Sequence, residues 1–222
     1  MGAQVSVTQS GGQTGAHIIF SFEHAGMPVP KFMLEVDQSG RGRYSGEEAT
    51  PVVRGVATEP ATQAFERSFA IAGGSAEKIF RLARQAQRFN VECESKAKNI
   101  ADTGSKTLRY AGADGAGSCT FNYTENKAVG EITDLLLGMA ETMDAGRELD
   151  RLHRYDRLGL DDAMTTLNEE VSEGHALELE TIAATLRSLA GDAEVMQRVR
   201  ARAAALLRLI PAAAMAPDVA VR

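Results

Sequence analysis

Apolar side chains recur at every second position along most of the chain as far as Tyr123, and at every third or fourth position from Val129 onward. Alternation places neighbouring side chains on opposite faces of a strand, whereas steps of three and four line one face of a helix. Strands and helices kept in separate runs make an α+β protein, because each apolar face must be buried against another layer. The expected fold is an antiparallel sheet of about five to seven strands with one packed helix, followed by a C-terminal helical bundle of about four helices.

Ile18, Phe20 and Phe22 share one strand face, and Phe32, Leu34 and Val36 share the next. Gln38-Ser39-Gly40 then turns the chain into Gly42-Arg43-Tyr44, which reads as a hairpin. Gly40, Gly42 and Gly46 lack the spacing of a dinucleotide-binding loop and no helix follows them, so they are read as glycines of a turn. Pro51-Val52-Val53 starts a short strand, and Phe65, Arg67, Phe69 and Ile71 alternate along another. Ser75 is placed as the cap of a helix over 76–89, with Glu77 in its first turn and Arg81, Arg84 and Arg88 on its solvent face. Leu108 with Tyr110, and Cys119 with Phe121 and Tyr123, flank the Ala113-Asp114-Gly115 turn of a second hairpin. Asn122 belongs to a formal glycosylation sequon and is expected to point away from the core.

Val129, Ile132, Leu136, Met139 and Met143 form the seam of a bundle helix that Leu149, Leu152 and Tyr155 extend past Gly146. Gly159, Gly174 and Gly191 punctuate the later helices, and Asp161 or Asp162 caps one of them. The division expected is 1–125 for the β-rich part and 126–210 for the bundle, able to share one core, with a disordered tail over 211–222.

The net charge of −6 is unevenly spread. Residues 1–125 hold 13 basic and 13 acidic side chains, residues 126–194 hold 6 and 16, and residues 195–222 hold 5 and 1. An acidic middle leaves no phosphate-binding surface, which argues against nucleic acid as a partner. Opposite charges also predict that Arg198 and Arg202 face carboxylates of the helices before them. No apolar run is long enough to span a bilayer, and the first residues lack the basic start and apolar middle of a signal peptide.

Asp102-Thr103-Gly104-Ser105 is the one short motif with catalytic precedent. It resembles the active-site loop of aspartic peptidases, and Leu136-Leu137-Gly138 resembles the hydrophobic-hydrophobic-glycine element placed behind that loop in the same family. The resemblance covers seven residues and implies Asp102, Thr103 and Gly104 as catalytic residues. It also implies a homodimer, since a single loop must meet its copy for two carboxylates to share a proton. Read from its neighbours alone, the same motif is a turn leading into the Leu108 strand.

His17, His24, His153 and His175 show no metal-ligand spacing, and the acidic run around Glu169, Glu170, Glu173 and Glu178 reads as a solvated face, so no metal and no cofactor is expected. Cys93 and Cys119 are expected to form a disulfide, because Cys119 shares the inward strand face with Phe121 and the segment after Cys93 must return to the same sheet. Such a bridge implies a periplasmic or extracellular setting, whereas free thiols imply the cytoplasm. The function expected is that of a non-catalytic cell-envelope or secreted protein that binds a protein or a small ligand, the alternative being the homodimeric aspartic-type peptidase.

Overall fold

Among the described residues six strands form one antiparallel sheet, β1 (His17–Glu23), β2 (Lys31–Asp37), β3 (Arg41–Ala49), β4 (Thr62–Ala70), β5 (Ser105–Gly112) and β6 (Gly115–Phe121), in the spatial order β4-β3-β2-β1-β5-β6. The computed structural model describes residues 15–49 and 62–211. The strand expected at Pro51-Val52-Val53 and the tail after Pro211 lie outside those residues.

Among the described residues five α-helices complete the α+β fold: α1 (Gly73–Gln85), α2 (Lys127–Tyr155), α3 (Leu160–Glu173), α4 (Ala183–Gly191) and α5 (Gln197–Leu207). One face of the sheet is buried under α1 and the first half of α2, which bring Ile79, Ala83, Ile132, Leu136 and Met139 onto Ile18, Phe20, Leu34 and Leu108. The second half of α2 contributes Leu149 and Leu152 to a separate cluster with Leu160, Leu167, Leu186 and Val199 of the later helices. The change of core therefore falls inside α2, between Met143 and Leu149, rather than ahead of it.

Asn126 caps the start of α2, its side-chain oxygen accepting from the amides of Ala128 and Val129 at 3.1 and 3.2 Å. Gly146 does not interrupt the helix. A Cβ there would lie 2.3 Å from Ile182 Cγ2, and one at Gly138 would lie 2.6 Å from the His175 carbonyl. Both glycines let the 175–182 segment cross close to the helix, and Leu177 donates to the Gly138 carbonyl at 3.3 Å.

Helix α1 begins earlier than Ser75, with Ala72 at its cap position and no side-chain cap of its own. Its start is held instead by distant carboxylates: Glu180 accepts from the Ala72 amide at 2.9 Å, and Ser75 donates its hydroxyl to Glu178. After Ala86 the chain makes a left-handed turn through Gln87, Arg88 and Phe89, all at positive φ, and buries Phe89 completely.

Gly42 and Gly46 are strand residues, a correction to their reading as turn glycines. They sit in β3 directly opposite Phe69 and Phe65 of β4. A Cβ at Gly42 would meet the Phe69 ring at 2.2 Å, and one at Gly46 would meet the Phe65 ring at 2.8 Å, so each glycine makes room for an aromatic ring to fold across its strand. Gly40 remains a turn residue at φ +83°.

The charge halves meet as expected. Arg198 and Arg202 both contact Asp161 of α3 at 2.7 Å. Arg84 and Arg88, by contrast, are not idle on a solvent face. Each reaches Asp114 in the β5–β6 turn, at 3.2 and 3.1 Å, and Tyr110 donates to the other oxygen of the same carboxylate at 2.6 Å. The Tyr110 hydroxyl, with the two guanidiniums behind it, holds the Asp114 carboxyl well below the usual carboxylate range.

Candidate functional site: the cleft between sheet and long helix

A single cross-strand row runs through all six strands near one end of the sheet. In register, Phe121 of β6 faces Lys106 of β5, Lys106 faces Phe22 of β1, Phe22 faces Phe32 of β2, Phe32 faces Gly46 of β3, and Gly46 faces Phe65 of β4. At ~4.8 Å per strand the row is about 24 Å long. The Phe65 ring leans over Gly46 and lies 5.1 Å from Tyr44, which is 5.5 Å from Phe32, itself 5.1 Å from Phe22. Each separation is in the range where aromatic pairs attract.

Helix α2 lies above this row, and a cleft of about 1790 Å³ opens between them. From Gly130 to Arg147 the helix rises about 25 Å at ~1.5 Å per residue, which matches the length of the row. The wall it presents carries Thr133, Asp134, Leu137, Glu141, Asp144 and Glu148 at steps of three and four, one stripe round from its buried seam. Met27 and Tyr123, 45% and 48% exposed, stand on the rim with Tyr155.

A cation flanks the run of rings from Phe22 to Phe65 on each side. Lys106 shares the inward face of β5 with Leu108 and Tyr110 and is 6% exposed. Its ammonium lies 5.6 Å from the Phe22 ring centroid and donates to the Thr103, Gly104 and Asn122 carbonyls at 2.9 Å and to the Thr103 hydroxyl at 3.0 Å. Burial lowers its pKa, against the opposing pull of Asp102 and Glu94. With its protons committed to these acceptors, the amine ties a turn together and offers no nucleophile. At the other end Arg147 stacks on Phe65 and pairs with Asp144 at 2.8 Å and with Glu48. Tyr44 donates to the same Asp144 at 2.9 Å. Burial raises the carboxyl of Asp144 while Tyr44 and Arg147 pull it down, and burial followed by Asp144 raises the Tyr44 phenol.

Within the single chain the peptidase-like residues form a turn that holds one carboxylate. Asp102 is exposed, and its carboxylate accepts from the Gly104 amide at 3.0 Å, closing an Asx turn on its own loop. Thr103 donates through its amide and its hydroxyl to Asn122, and Gly104 is buried at φ +89°, where a Cβ would lie 2.7 Å from the Phe22 ring. Leu136, Leu137 and Gly138 lie mid-helix in α2 rather than in a strand behind the loop. The Asp-Thr-Gly turn has a structural reason: it supplies two of the carbonyls that cage Lys106.

Cys93 and Cys119 bring their sulfurs to disulfide distance, with Cα atoms 5.9 Å apart. The pair anchors the loop beyond it, because Glu94 then accepts from the Asn122 amide at 2.6 Å and Ser95 donates to the Tyr123 carbonyl at 2.8 Å. Asn122, expected to be an idle outward residue, uses its amide group fully: the oxygen accepts from Thr103 and the nitrogen donates to Ala101 at 2.9 Å.

The acidic run of the third helix disperses. Glu170 lines the cleft, Glu173 contacts His175 at 3.4 Å, and Glu178 turns to Ser75. Among the described residues no three His, Cys, Asp or Glu side chains come together to hold a metal ion. His153 is paired with Asp192 at 2.8 Å. Lys106 and the row it belongs to were missed from sequence, although the alternation of Leu108 and Tyr110 extends back to Lys106 and would have placed it on the inward face. Among the described residues no helix is long and apolar enough to cross a membrane. Compared with known proteins, the chain matches no family model, and no curated protein is similar to it.

Proposed function

We propose that this is a non-catalytic binding protein of the cell envelope or the extracellular space, whose ligand lies in the cleft between α2 and the aromatic row. The observation that carries this reading is the cleft itself: about 1790 Å³, floored by Phe22, Phe32, Phe65 and Phe121, and roofed by one polar stripe of α2. Binding sites combine apolar walls with a few directed polar groups, and both are present here. The setting is supported by the Cys93–Cys119 pair, since such bridges persist in oxidising compartments.

The chain contains no tryptophan, so one placed on the rim reports on the cleft alone. With Tyr123→Trp, titration of the apolar dye bis-ANS should quench the tryptophan emission at one dye per chain. Adding Leu137→Asp in the wall should weaken that binding at least tenfold. Dye binding that leaves the tryptophan unchanged, or that ignores Leu137→Asp, removes the cleft as the binding site.

A further inference from the structure

We infer that the occupant of this cleft is an extended peptide segment of another protein carrying lysine or arginine among apolar side chains; the inference rests on the cleft being the binding site. Size selects a polymer. A volume of about 1790 Å³ exceeds the roughly 300–1,000 Å³ of small-molecule sites, and a row of about 24 Å takes about seven residues of extended chain at ~3.3 Å each.

Charge selects the sign. Most cations of the cleft are already engaged, Arg147 with Asp144 and Glu48, Arg151 with Glu148, Arg67 with Asp150, and Lys106 with its carbonyls, which leaves exposed Arg154, 5.7 Å from the Tyr155 ring, against three carboxylates. Asp134, Glu141 and Glu170 line the same cleft, and among the described residues no ion pair or hydrogen bond reaches their carboxylates. Asp134 and Glu141 are two turns apart on α2, about 10 Å at ~1.5 Å per residue. Burial raises the carboxyl of Glu141, with Glu170 adding to it, and burial also raises that of Glu170, with His175 opposing both. A ligand cation between them would relieve both. Nucleic acids and acidic glycans carry the same sign as these carboxylates and are repelled, and a free polyamine would leave the aromatic floor unused.

The test uses the full-length protein and four probes in calorimetric titration: an octapeptide alternating leucine and lysine, its leucine–glutamate counterpart, spermine, and a neutral chitin hexasaccharide. The leucine–lysine peptide should bind at least tenfold more tightly than the other three. Glu141→Gln with Glu170→Gln should weaken that binding at least tenfold, while Glu77→Gln with Glu169→Gln, which removes the same charge outside the cleft, should stay within twofold. Equal binding of the leucine–glutamate peptide, or tighter binding of the hexasaccharide, overturns the inference yet leaves the cleft reading standing if Leu137→Asp abolishes it. Probe binding that is indifferent to Leu137→Asp overturns both.

Discussion

The guanidinium carbon of Arg147 on α2 lies 3.5 Å from the centroid of the Phe65 ring on β4. That contact joins the edge of the sheet to the long helix, and it closes one end of the cleft. Arg147 is 13% exposed there, so its charge is held by Asp144, Glu48 and the ring rather than by water.

Replacing Arg147 should therefore separate geometry from charge. Arg147→Lys keeps the charge but loses the planar stack and the two-sided pairing, and should cost about 1–2 kcal/mol. Arg147→Met leaves half-buried Asp144 without its cation and should cost about 2–3 kcal/mol. Urea denaturation measures both, and a smaller loss for the methionine than for the lysine would contradict the pairing argument.

Lys106 should behave as the bound cation of its turn. Lys106→Met keeps the stem against Phe22 but leaves the carbonyls of Thr103, Gly104 and Asn122 without their donor, at a cost of about 2–3 kcal/mol. Asp102→Asn, whose side-chain oxygen can still accept from the Gly104 amide, should cost less than about 0.5 kcal/mol. Thermal unfolding of the two variants side by side checks the ranking.

Stability should respond to pH through Glu178. Burial, and then the neighbouring Glu180, push its carboxyl up to about 7 in the folded chain. A carboxyl with a higher pKa folded than unfolded favours the folded state when protonated. Its contribution is complete below about pH 4.5 and is lost as pH rises through about 7. Between pH 5.5 and 8 the melting temperature should fall for the wild type and stay flatter for Glu178→Gln. Parallel slopes for the two proteins would rule out this group as the source.

Thiol titration of the denatured, unreduced protein should find no free thiol. In the chain-entropy picture, closing a loop whose ends are 26 positions apart contributes roughly 3–4 kcal/mol, so reduction should lower the melting temperature markedly. Hydrogen exchange should localise the loss to residues 93–106, which the bridge, Glu94 and Asn122 hold together. Two free thiols would remove both the bridge and the compartment inferred from it.

What could be read from the chain is what depends on near neighbours. The change of period after residue 125 announced sheet before bundle, and glycines at 159, 174 and 191 marked the later breaks. The cysteine pair followed from the face of a strand and the need of the chain to return to it. Hydrophobic period and capping act over one or two turns, so they are written in adjacent residues.

The site was not legible in this way. Phe121, Lys106, Phe22, Phe32, Gly46 and Phe65 form one row only because five pairings align them, and each register could have slipped without changing any local period. The cap of α1 comes from Glu178 and Glu180, about a hundred residues away, so Ser75 looked like the cap when it was a donor to one of them. Gly46 looked like a turn residue, because the ring that requires its missing side chain arrives from another strand. Alternation tells a side chain which face it is on, but which side chains meet across that face is decided by strand order and register, and these are set by the packing of the whole core.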